Sequence, residues 1–307
     1  MAPQIWLVTG TTSGIGKMVI QELVRRGDKV IATGRKVEER LGAYKSDSLR
    51  LLELDISADR VTLAAKVQEA WAVFGHIDVV LNNAGMNQLM SAEEASEDHI
   101  DALLTTNLLG AVRLTQAVLP LMRARRSGTL AFISSSSAWN SLPFMSLYAA
   151  SKAGLSAFVE SLHKEVRPLG LRALAIECGG FPTSLSQARD GAPPPPPPTQ
   201  IADYAPGLTA LGAMFASDPA AYMPGDLARV APRIVDVVKR EGPAAGRAWA
   251  VRVVLGSDAH AAISQKVREV AGLLEEWKDV SYSTDSDAHA GGATKEYLEA
   301  VSILEKE

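Results

Sequence analysis

Short apolar runs alternate with segments of helical periodicity through the first 180 residues. The apolar run Ile5–Val8 precedes a glycine-rich turn, after which Ile15, Met18, Val19 and Leu23 recur at helical spacing. Further strands are predicted at 30–33, 49–54, 78–81, 129–133 and 171–176, and further helices at 63–74, 97–124 and 147–167. Continuous apolar strands separated by helices are typical of βαβ units, whose parallel sheet is buried on both faces. The pattern therefore predicts a doubly wound α/β fold.

This regular alternation ends after about residue 182. Six consecutive prolines, 193–198, are expected to form a stiff, exposed polyproline II segment, with a ligand for a proline-binding domain as the alternative. Residues 201–224 are apolar with scattered glycine and proline, which favours a mobile cover over a core element. Helices are predicted at 226–241 and from 258 to about 278, with an apolar run at 248–255 between them. We expect one catalytic domain over 1–280, with a lid-like insertion at 184–224, and a C-terminal tail over 281–307.

The composition excludes several classes of function. The net charge of −4, from 31 basic and 35 acidic residues, disfavours nucleic acid or an anionic membrane as a partner. Cys178 is the one cysteine, and the five histidines have no ligand spacing, so neither an intramolecular disulfide nor a metal site is expected. No apolar run reaches the roughly 20 residues of a membrane-spanning helix. Because the N-terminus also lacks a recognisable secretion signal, we expect a cytoplasmic protein.

The glycine-rich segment TGTTSGIG, residues 9–16, lies between the first strand and the first helix. Glycines there permit a tight turn and let the backbone approach a pyrophosphate, whose charge is favoured at a helix N-terminus. A plain strand-to-helix turn is the alternative for this segment taken alone. Because no Gly-Lys-Ser/Thr sequence follows, a phosphate-transferring P-loop is disfavoured.

Two further motifs occur in the same chain as the glycine-rich segment and extend the comparison beyond it. Asn-Asn-Ala-Gly occupies 82–85 after the fourth strand, and Tyr148 and Lys152 enclose the sequence Ala-Ala-Ser on a predicted helix. In order and spacing the three motifs resemble the short-chain dehydrogenase/reductase family, over residues 4–183 and more loosely over 226–278. The resemblance implies a single-domain Rossmann fold. The C-terminal extension and the style of lid are also similar to fungal and bacterial reductases of secondary metabolism.

The family resemblance implies which residues hold a nicotinamide dinucleotide. The residues expected to line the diphosphate are Gly10, Ser13, Gly14, Ile15 and Gly16. Asp55 matches the position that binds the adenine amino group, although a local capping role in its loop is the alternative. The residues expected to border the rest of the cofactor are Asn82, Ala84, Gly85 and Thr183. Where the family usually has proline, this chain has Cys178, either a small buried apolar group or a thiol in the pocket wall.

The end of the second strand bears on the choice between NAD and NADP. A carboxylate there accepts from the ribose 2′-hydroxyl and repels a 2′-phosphate. The sequence VIATGRK at 30–36 has no acidic residue at this point, and Arg35 follows at once. A guanidinium suits bidentate phosphate contact, so NADP(H) is the expected cofactor, with a solvated loop charge as the alternative reading of Arg35.

The family resemblance also implies a catalytic set. Tyr148 and Lys152 are four residues apart on one helix face, where the ammonium together with the nicotinamide charge should lower the tyrosine pKa. Ser135 lies thirteen positions before Tyr148, the family's usual separation, and should bind the substrate oxygen. Asn107 matches a helix-distorting asparagine that holds a proton-relay water through its main chain.

We therefore expect hydride transfer from NADPH to the carbonyl of a bulky, largely hydrophobic ketone or aldehyde, with Tyr148 as general acid. The apolar and aromatic residues near the site suggest this substrate, and those expected to line its pocket are Ser137, Trp139, Met145 and Phe181. The alternatives are the oxidative direction, as an NADP+-dependent alcohol dehydrogenase, and a non-redox regulatory or interaction module. The resemblance implies a homodimer or homotetramer paired through the helices at 97–124 and 147–167.

Overall fold

A seven-stranded parallel sheet forms the centre of the molecule. The computed structural model describes residues 3–185, 199–218, 222–286 and 292–303. The strands are β1 Ile5–Val8, β2 Lys29–Gly34, β3 Leu49–Glu53, β4 Val79–Asn82, β5 Gly128–Ser135, β6 Leu171–Cys178 and β7 Arg252–Leu255. Their order across the sheet is β3-β2-β1-β4-β5-β6-β7. The predicted doubly wound α/β fold with one parallel sheet is confirmed.

Helices flank this sheet. They are α1 Gly14–Arg25, α2 Val37–Leu41, α3 Arg60–Phe74, α4 Glu97–Leu104, α5 Gly110–Arg125, α6 Ser146–Val166, α7 Ala205–Ser217, α8 Leu227–Lys239, α9 Ser257–Glu276, α10 Lys278–Tyr282 and α11 Lys295–Val301. Helix α1 packs against α8, whereas α3 packs against α5 and α4 against α6. The inner strands bury most of their side chains, as a sheet covered on both faces requires, whereas the edge strands β3 and β7 are partly exposed.

The predicted continuous helix at 97–124 is interrupted. A π-helical turn, Thr105–Leu109, separates α4 from α5. The composition of 97–125 would allow a membrane span by length and hydropathy, with 39% of the most apolar window buried. Helices buried in a protein core can meet the same criteria of length and hydropathy. In this helix Leu114, Val118 and Met122 are fully buried in the core.

The lid-like insertion is partly described. Residues 205–217, predicted to belong to a mobile cover, form helix α7, with Leu211 buried. Glu94 holds the start of this segment, because its carboxylate accepts hydrogen bonds from Thr199 Oγ1 and the Gln200 N–H, both at 2.6 Å. The proline run 193–198 and the rest of 186–198 lie outside the described residues. In the predicted C-terminal tail over 281–307, residues 295–301 are helical, and the short helix 278–282 ends within its first residues.

The order of the strands defines where a ligand can bind. Strands β1 and β4 are neighbours, and the chain leaves them towards opposite edges of the sheet. In doubly wound folds such a switch point opens a crevice at the carboxyl ends of the strands. The glycine-rich turn follows β1 at this point, and the segment 82–85 lies at the end of β4.

Candidate active site

A cavity lies at the carboxyl ends of β1, β4, β5 and β6. Most of the predicted cofactor and catalytic residues meet there. The residues that line it are Gly10, Ser13, Gly14, Ile15, Asn83, Ala84, Gly85, Ile133, Ser134, Ser135, Tyr148, Lys152, Cys178, Gly179, Phe181, Thr183, Ser184 and Leu185. One cavity thus brings the glycine-rich turn together with the Tyr-Lys helix, which are more than 130 residues apart in the sequence.

The turns after β1 and β4 are tied closely together. Asn83 Nδ2 donates to the carbonyl oxygens of Thr9 and Gly10, at 2.9 and 3.0 Å. Thr9 Oγ1 accepts from the backbone N–H groups of Asn83 and Ala84, both at 3.0 Å. Gly10 has a φ of +68°, and a Cβ on it would lie 2.8 Å from the Ala84 Cα. Glycine is therefore required at position 10 by both conformation and space.

The N-terminus of α1 opens into this cavity. Ser13 is the N-cap, but its side chain makes no capping hydrogen bond and instead accepts one from Ser184 Oγ at 2.9 Å. Thr183 lies directly against Gly14, because a Cβ on this glycine would be 3.3 Å from the threonine methyl group. A helix N-terminus bordered by glycines and hydroxyls is suited to a diphosphate, so these residues fit a dinucleotide.

No acidic residue stands at the end of β2, where a carboxylate would accept from the ribose 2′-hydroxyl of NAD. Arg35 is exposed directly after the buried Gly34. The Glu53 carboxylate, at the end of β3, accepts from the backbone N–H groups of Lys36 and Val37, at 2.6 and 3.0 Å. Glu53 is thus occupied in holding the start of α2. The exposed Arg35 directly follows Gly34, where a Cβ would lie 3.1 Å from the Thr12 methyl group in the glycine-rich turn.

Asp55 makes the local contacts that were the alternative to adenine binding. Its Oδ1 accepts from the Ser57 N–H at 2.9 Å and from Ser57 Oγ at 2.7 Å. These bonds fix the loop after β3 and engage Oδ1 alone. An adenine contact by this residue stays a prediction.

The predicted catalytic side chains form one buried group. Tyr148 is 6% exposed and Lys152 is 3% exposed, and the lysine Nζ lies 5.9 Å from the centre of the tyrosine ring. Lys152 Nζ donates to the Ile133 carbonyl oxygen on β5 at 2.8 Å. Ser135, the last residue of β5, lines the same cavity as Tyr148, and its side chain acts to lower the tyrosine pKa. A strand end and a helix therefore present two adjacent hydroxyls to the cavity.

Burial dominates the proton equilibria of this group. It raises the pKa of Tyr148 to about 12, against which the hydrogen bond with Ser135 acts in the lowering direction. It lowers the pKa of Lys152 to about 8. The expected lowering of the tyrosine pKa included the charge of a bound nicotinamide; in the protein alone, desolvation of the phenolate outweighs every other contribution.

Asn107 lies in the π-helical turn and reaches the loop after β4. Its Oδ1 accepts from the Met86 N–H at 2.8 Å, and its Nδ2 donates to the Met86 carbonyl oxygen at 2.9 Å. Nδ2 is also 3.1 Å from Ser151 Oγ on α6. The expected distortion of the helix is present. From this turn the Asn107 side chain connects Ser151 on α6 with the loop after β4. Its role in proton relay stays a prediction.

Cys178 combines the two alternatives considered for it. It lines the cavity, is 5% exposed, and has a pKa that burial raises to about 12, so the thiol is protonated. The loop that follows is held by Asp258, whose Oδ2 accepts from the Gly180 N–H at 2.7 Å. The loop that carries Thr183 is therefore held in place although Cys178 stands where the family usually has proline.

The four residues predicted to line the substrate pocket have different places. Phe181 lines the cavity. The Trp139 indole N–H donates to Glu177 Oε2 at 2.7 Å, and the Ser137 N–H donates to Ser135 Oγ at 3.1 Å. Met145 is the N-cap of α6. These three are not among the described residues that line the cavity.

The sequence predicted that Asn82 borders the cofactor and gave no role to Asn83. Asn82 is 4% exposed, and its side chain has no hydrogen-bond partner among the described residues. Asn83 instead lines the cavity and holds the glycine-rich turn. The motif at 82–85 contains both asparagines, of which Asn82 ends β4 and Asn83 begins the loop that follows it. Ser184 and Leu185 were missed because nothing in their sequence marks them.

Comparison with known proteins agrees with this geometry. The model of the family described as "short chain dehydrogenase" matches residues 4–192. The chain belongs to the short-chain dehydrogenase family, whose enzymes interconvert CH–OH and C=O groups with a nicotinamide dinucleotide.

Three relatives show how far the similarity extends. A 3-ketodihydrosphingosine reductase from Bacteroides thetaiotaomicron is 34% identical over 190 residues, which cover 62% of this chain and 68% of the relative. The oxidoreductase BOA17 from Botryotinia fuckeliana is 27% identical over 284 residues, covering 92% of this chain and 99% of the relative. A crystal structure of a short-chain dehydrogenase from Streptomyces avermitilis has a TM-score of 0.80 and 32% identity, covering 92% of this chain and 99% of that one. The similarity therefore continues past the catalytic helix into the C-terminal part.

Proposed function

We propose that this protein is an NADPH-dependent reductase that converts a bulky, largely hydrophobic ketone or aldehyde to its alcohol. The observation that carries the proposal is a single cavity whose wall contains Ser135, Tyr148 and Lys152 together with the glycine-rich turn. The overall reaction consumes one NADPH and one proton per carbonyl and yields the alcohol and NADP+. When bound, the nicotinamide supplies the hydride.

The chain's own residues supply the proton and the geometry. The Tyr148 hydroxyl donates its proton to the substrate oxygen, and Ser135 holds that oxygen by a hydrogen bond. Lys152, fixed by the Ile133 carbonyl, places its ammonium beside the tyrosine ring, where it stabilises the phenolate that remains. Burial of Tyr148 and Lys152 keeps bulk water from competing for the same proton.

The reductive direction is supported by a relative, since the Bacteroides relative is named as a reductase of a keto compound. In the protein without cofactor, burial raises the pKa of Tyr148 to about 12, so the hydroxyl carries the proton that reduction needs.

The preference for NADPH rests on Arg35. Arg35 is exposed and directly follows Gly34, which adjoins Thr12 of the glycine-rich turn, and the carboxylate of Glu53 at the end of β3 is bound to two backbone N–H groups. The pattern favours a 2′-phosphate at this point. The hydrophobic character of the substrate rests on Phe181 in the cavity and on the apolar helix α7. Helix α7 and the segment around it act as the lid.

The experiment offers a panel of substrates and measures their turnover by the change in nicotinamide absorbance. Acetophenone, benzil, cyclohexanone and dodecanal are offered with NADPH and with NADH, and the matching alcohols are offered with NADP+. We expect reduction of the aryl or long-chain members, faster with NADPH. Turnover of the alcohols alone would show the oxidative direction. Tight NADPH binding without turnover of any compound would contradict the proposal and leave a non-redox module.

A further inference from the structure

A buried acidic residue behind the catalytic group has no part in the chemistry described so far. Glu177, the penultimate residue of β6, is 0% exposed. A carboxylate at such a site is costly unless it is fully hydrogen-bonded or paired. Its Oε1 accepts from Ser156 Oγ at 3.0 Å and from Arg252 Nε at 2.8 Å, and the second Arg252 nitrogen also binds it. Oε2 accepts from the Trp139 indole at 2.7 Å.

The partners of Glu177 belong to the elements that carry the catalytic residues. Trp139 follows the short turn that begins at Ser135, and this turn is closed by the bond from the Ser137 N–H to Ser135 Oγ. The Arg252 guanidinium also covers the Trp139 ring, with its central carbon 4.1 Å from the ring centre. The indole is therefore held from its edge by Glu177 and on its face by Arg252.

Helix α6 is attached to the same carboxylate. Tyr148, Lys152, Ser156 and Glu160 are spaced four residues apart and so lie along one face of the helix. Ser156 binds Glu177, and Glu160 Oε1 accepts from Arg252 at 2.9 Å. The attachment thus begins one turn after Lys152 and continues for a further turn.

A second route connects this attachment to the lysine itself. Ser134 is paired with Glu177 across the sheet, so both side chains leave the same face. Ser134 Oγ lies 2.9 Å from Ser156 Oγ and 3.3 Å from the Lys152 carbonyl oxygen. The chain from Glu177 through Ser156 and Ser134 therefore ends on the backbone of a catalytic residue.

We propose that Glu177 is a positioning residue, which with Trp139 and Arg252 fixes the distance between the Ser135 and Tyr148 hydroxyls. The proposal rests on the proposed function, because it assigns those hydroxyls to one substrate oxygen. One carboxylate joins the turn that carries Ser135 to the helix that carries Tyr148. Misplacement of reacting groups by about 1 Å can cost about 100-fold in rate.

The test uses two substitutions in this network and one matched control. Trp139→Phe removes the N–H and keeps an aromatic face for Arg252, whereas Glu177→Gln keeps the size and removes the charge. The control, Asp28→Asn, breaks another buried ion pair, in which Lys239 Nζ lies 2.9 Å from Asp28 at the amino end of β2. Like the pair of Glu177 and Arg252, this ion pair is buried, but it lies at the opposite end of the strands from the catalytic residues.

We expect kcat for the best ketone of the panel to fall about 10–100-fold in Trp139→Phe and Glu177→Gln, with the NADPH dissociation constant within about twofold of wild type. Asp28→Asn should lower the unfolding temperature and leave kcat within about twofold. Crystal structures of the two network variants should show the Ser135 and Tyr148 hydroxyls separated beyond hydrogen-bond distance.

Unchanged kcat in both network variants, or an equal loss in Asp28→Asn, would overturn the positioning role. If Glu177→Gln does not fold, Trp139→Phe decides the matter alone. A wild type that reduces no carbonyl would refute the proposed function instead, and the crystal structures would still decide whether Glu177 sets the distance between the hydroxyls: an unchanged distance refutes it.

Discussion

The close contact between the turns after β1 and β4 can be tested with a single methyl group. In Gly10→Ala the new Cβ would lie 2.8 Å from the Ala84 Cα and 3.1 Å from both Ala84 N and Asn83 Nδ2. The backbone φ of +68° also has to be kept by a residue that disfavours it. Because two of the three clashes are with backbone, rotation of a side chain cannot relieve them.

A matched control separates strain from clash. Gly27, just after α1, has a φ of +84°, and a Cβ there would meet nothing within 4 Å. Gly27→Ala therefore carries only the left-handed strain, about 1–2 kcal/mol. Gly10→Ala carries that strain plus an overpacking term of about 1–3 kcal/mol.

The assays are urea denaturation and fluorescence titration with NADPH. We expect the free energy of unfolding to fall by about 2–5 kcal/mol in Gly10→Ala and about 1–2 kcal/mol in Gly27→Ala. Affinity for NADPH should fall at least about tenfold in the first variant, since Ala84 and Asn83 must move, and stay unchanged in the second. Equal losses of stability, together with unchanged NADPH affinity in Gly10→Ala, would refute the reasoning that the two turns form one cradle.

Three further predictions concern the cofactor, the lid and assembly. Arg35→Ala should weaken NADPH binding by about 1–3 kcal/mol and leave NADH binding nearly unchanged, and equal losses in titrations with both cofactors would show that Arg35 does not bind the 2′-phosphate. Hydrogen bonds from Ser91 and Thr199 lower the pKa of Glu94 to about 2. The ionised carboxylate therefore holds Thr199 and Gln200 at the start of the lid at neutral pH, and this hold is lost only as the pH falls from about 4.5 towards 2. Protection of the Gln200 amide, measured as its hydrogen exchange relative to the intrinsic rate at each pH, should therefore fall in wild type only across that acidic range and already be low at neutral pH in Glu94→Ala; identical protection in both proteins at neutral pH would contradict this. Light scattering should show a dimer or tetramer at micromolar concentration, and a strict monomer would contradict the predicted pairing through α4, α5 and α6.

The sequence predicted the central architecture because its determinants are local. Apolar runs place the strands within one or two residues of their observed bounds, with Ile5–Val8 matched at both ends. The glycine-rich turn and the four-residue spacing of Tyr148 and Lys152 likewise depend only on neighbours in the chain.

What the sequence did not predict depends on contacts between distant segments. Hydrophobic periodicity alone predicts ordinary helix at Thr105–Leu109, and only the family resemblance implied the distortion at Asn107, whose side chain is hydrogen-bonded with Met86 in another loop. The indole of Trp139 was expected in a substrate pocket, but its hydrogen bond to Glu177 spans 38 positions. An acidic residue at the end of an apolar strand was the available signal, and its partner Arg252 could not be assigned from spacing.

The central claim is that Tyr148 delivers the proton in carbonyl reduction. Tyr148→Phe keeps the ring, and so the packing of α6 and the cavity wall, and removes only the hydroxyl in the cavity that Ser135 also lines. Steady-state reduction of the best ketone of the panel, measured beside fluorescence titration with NADPH, tests the claim most directly. We predict a fall in turnover of at least about 100-fold with NADPH affinity nearly unchanged, because general acid catalysis is typically worth about 10²–10⁴-fold. Activity in Tyr148→Phe above a few per cent of wild type would contradict the account, since the proton would then come from another group.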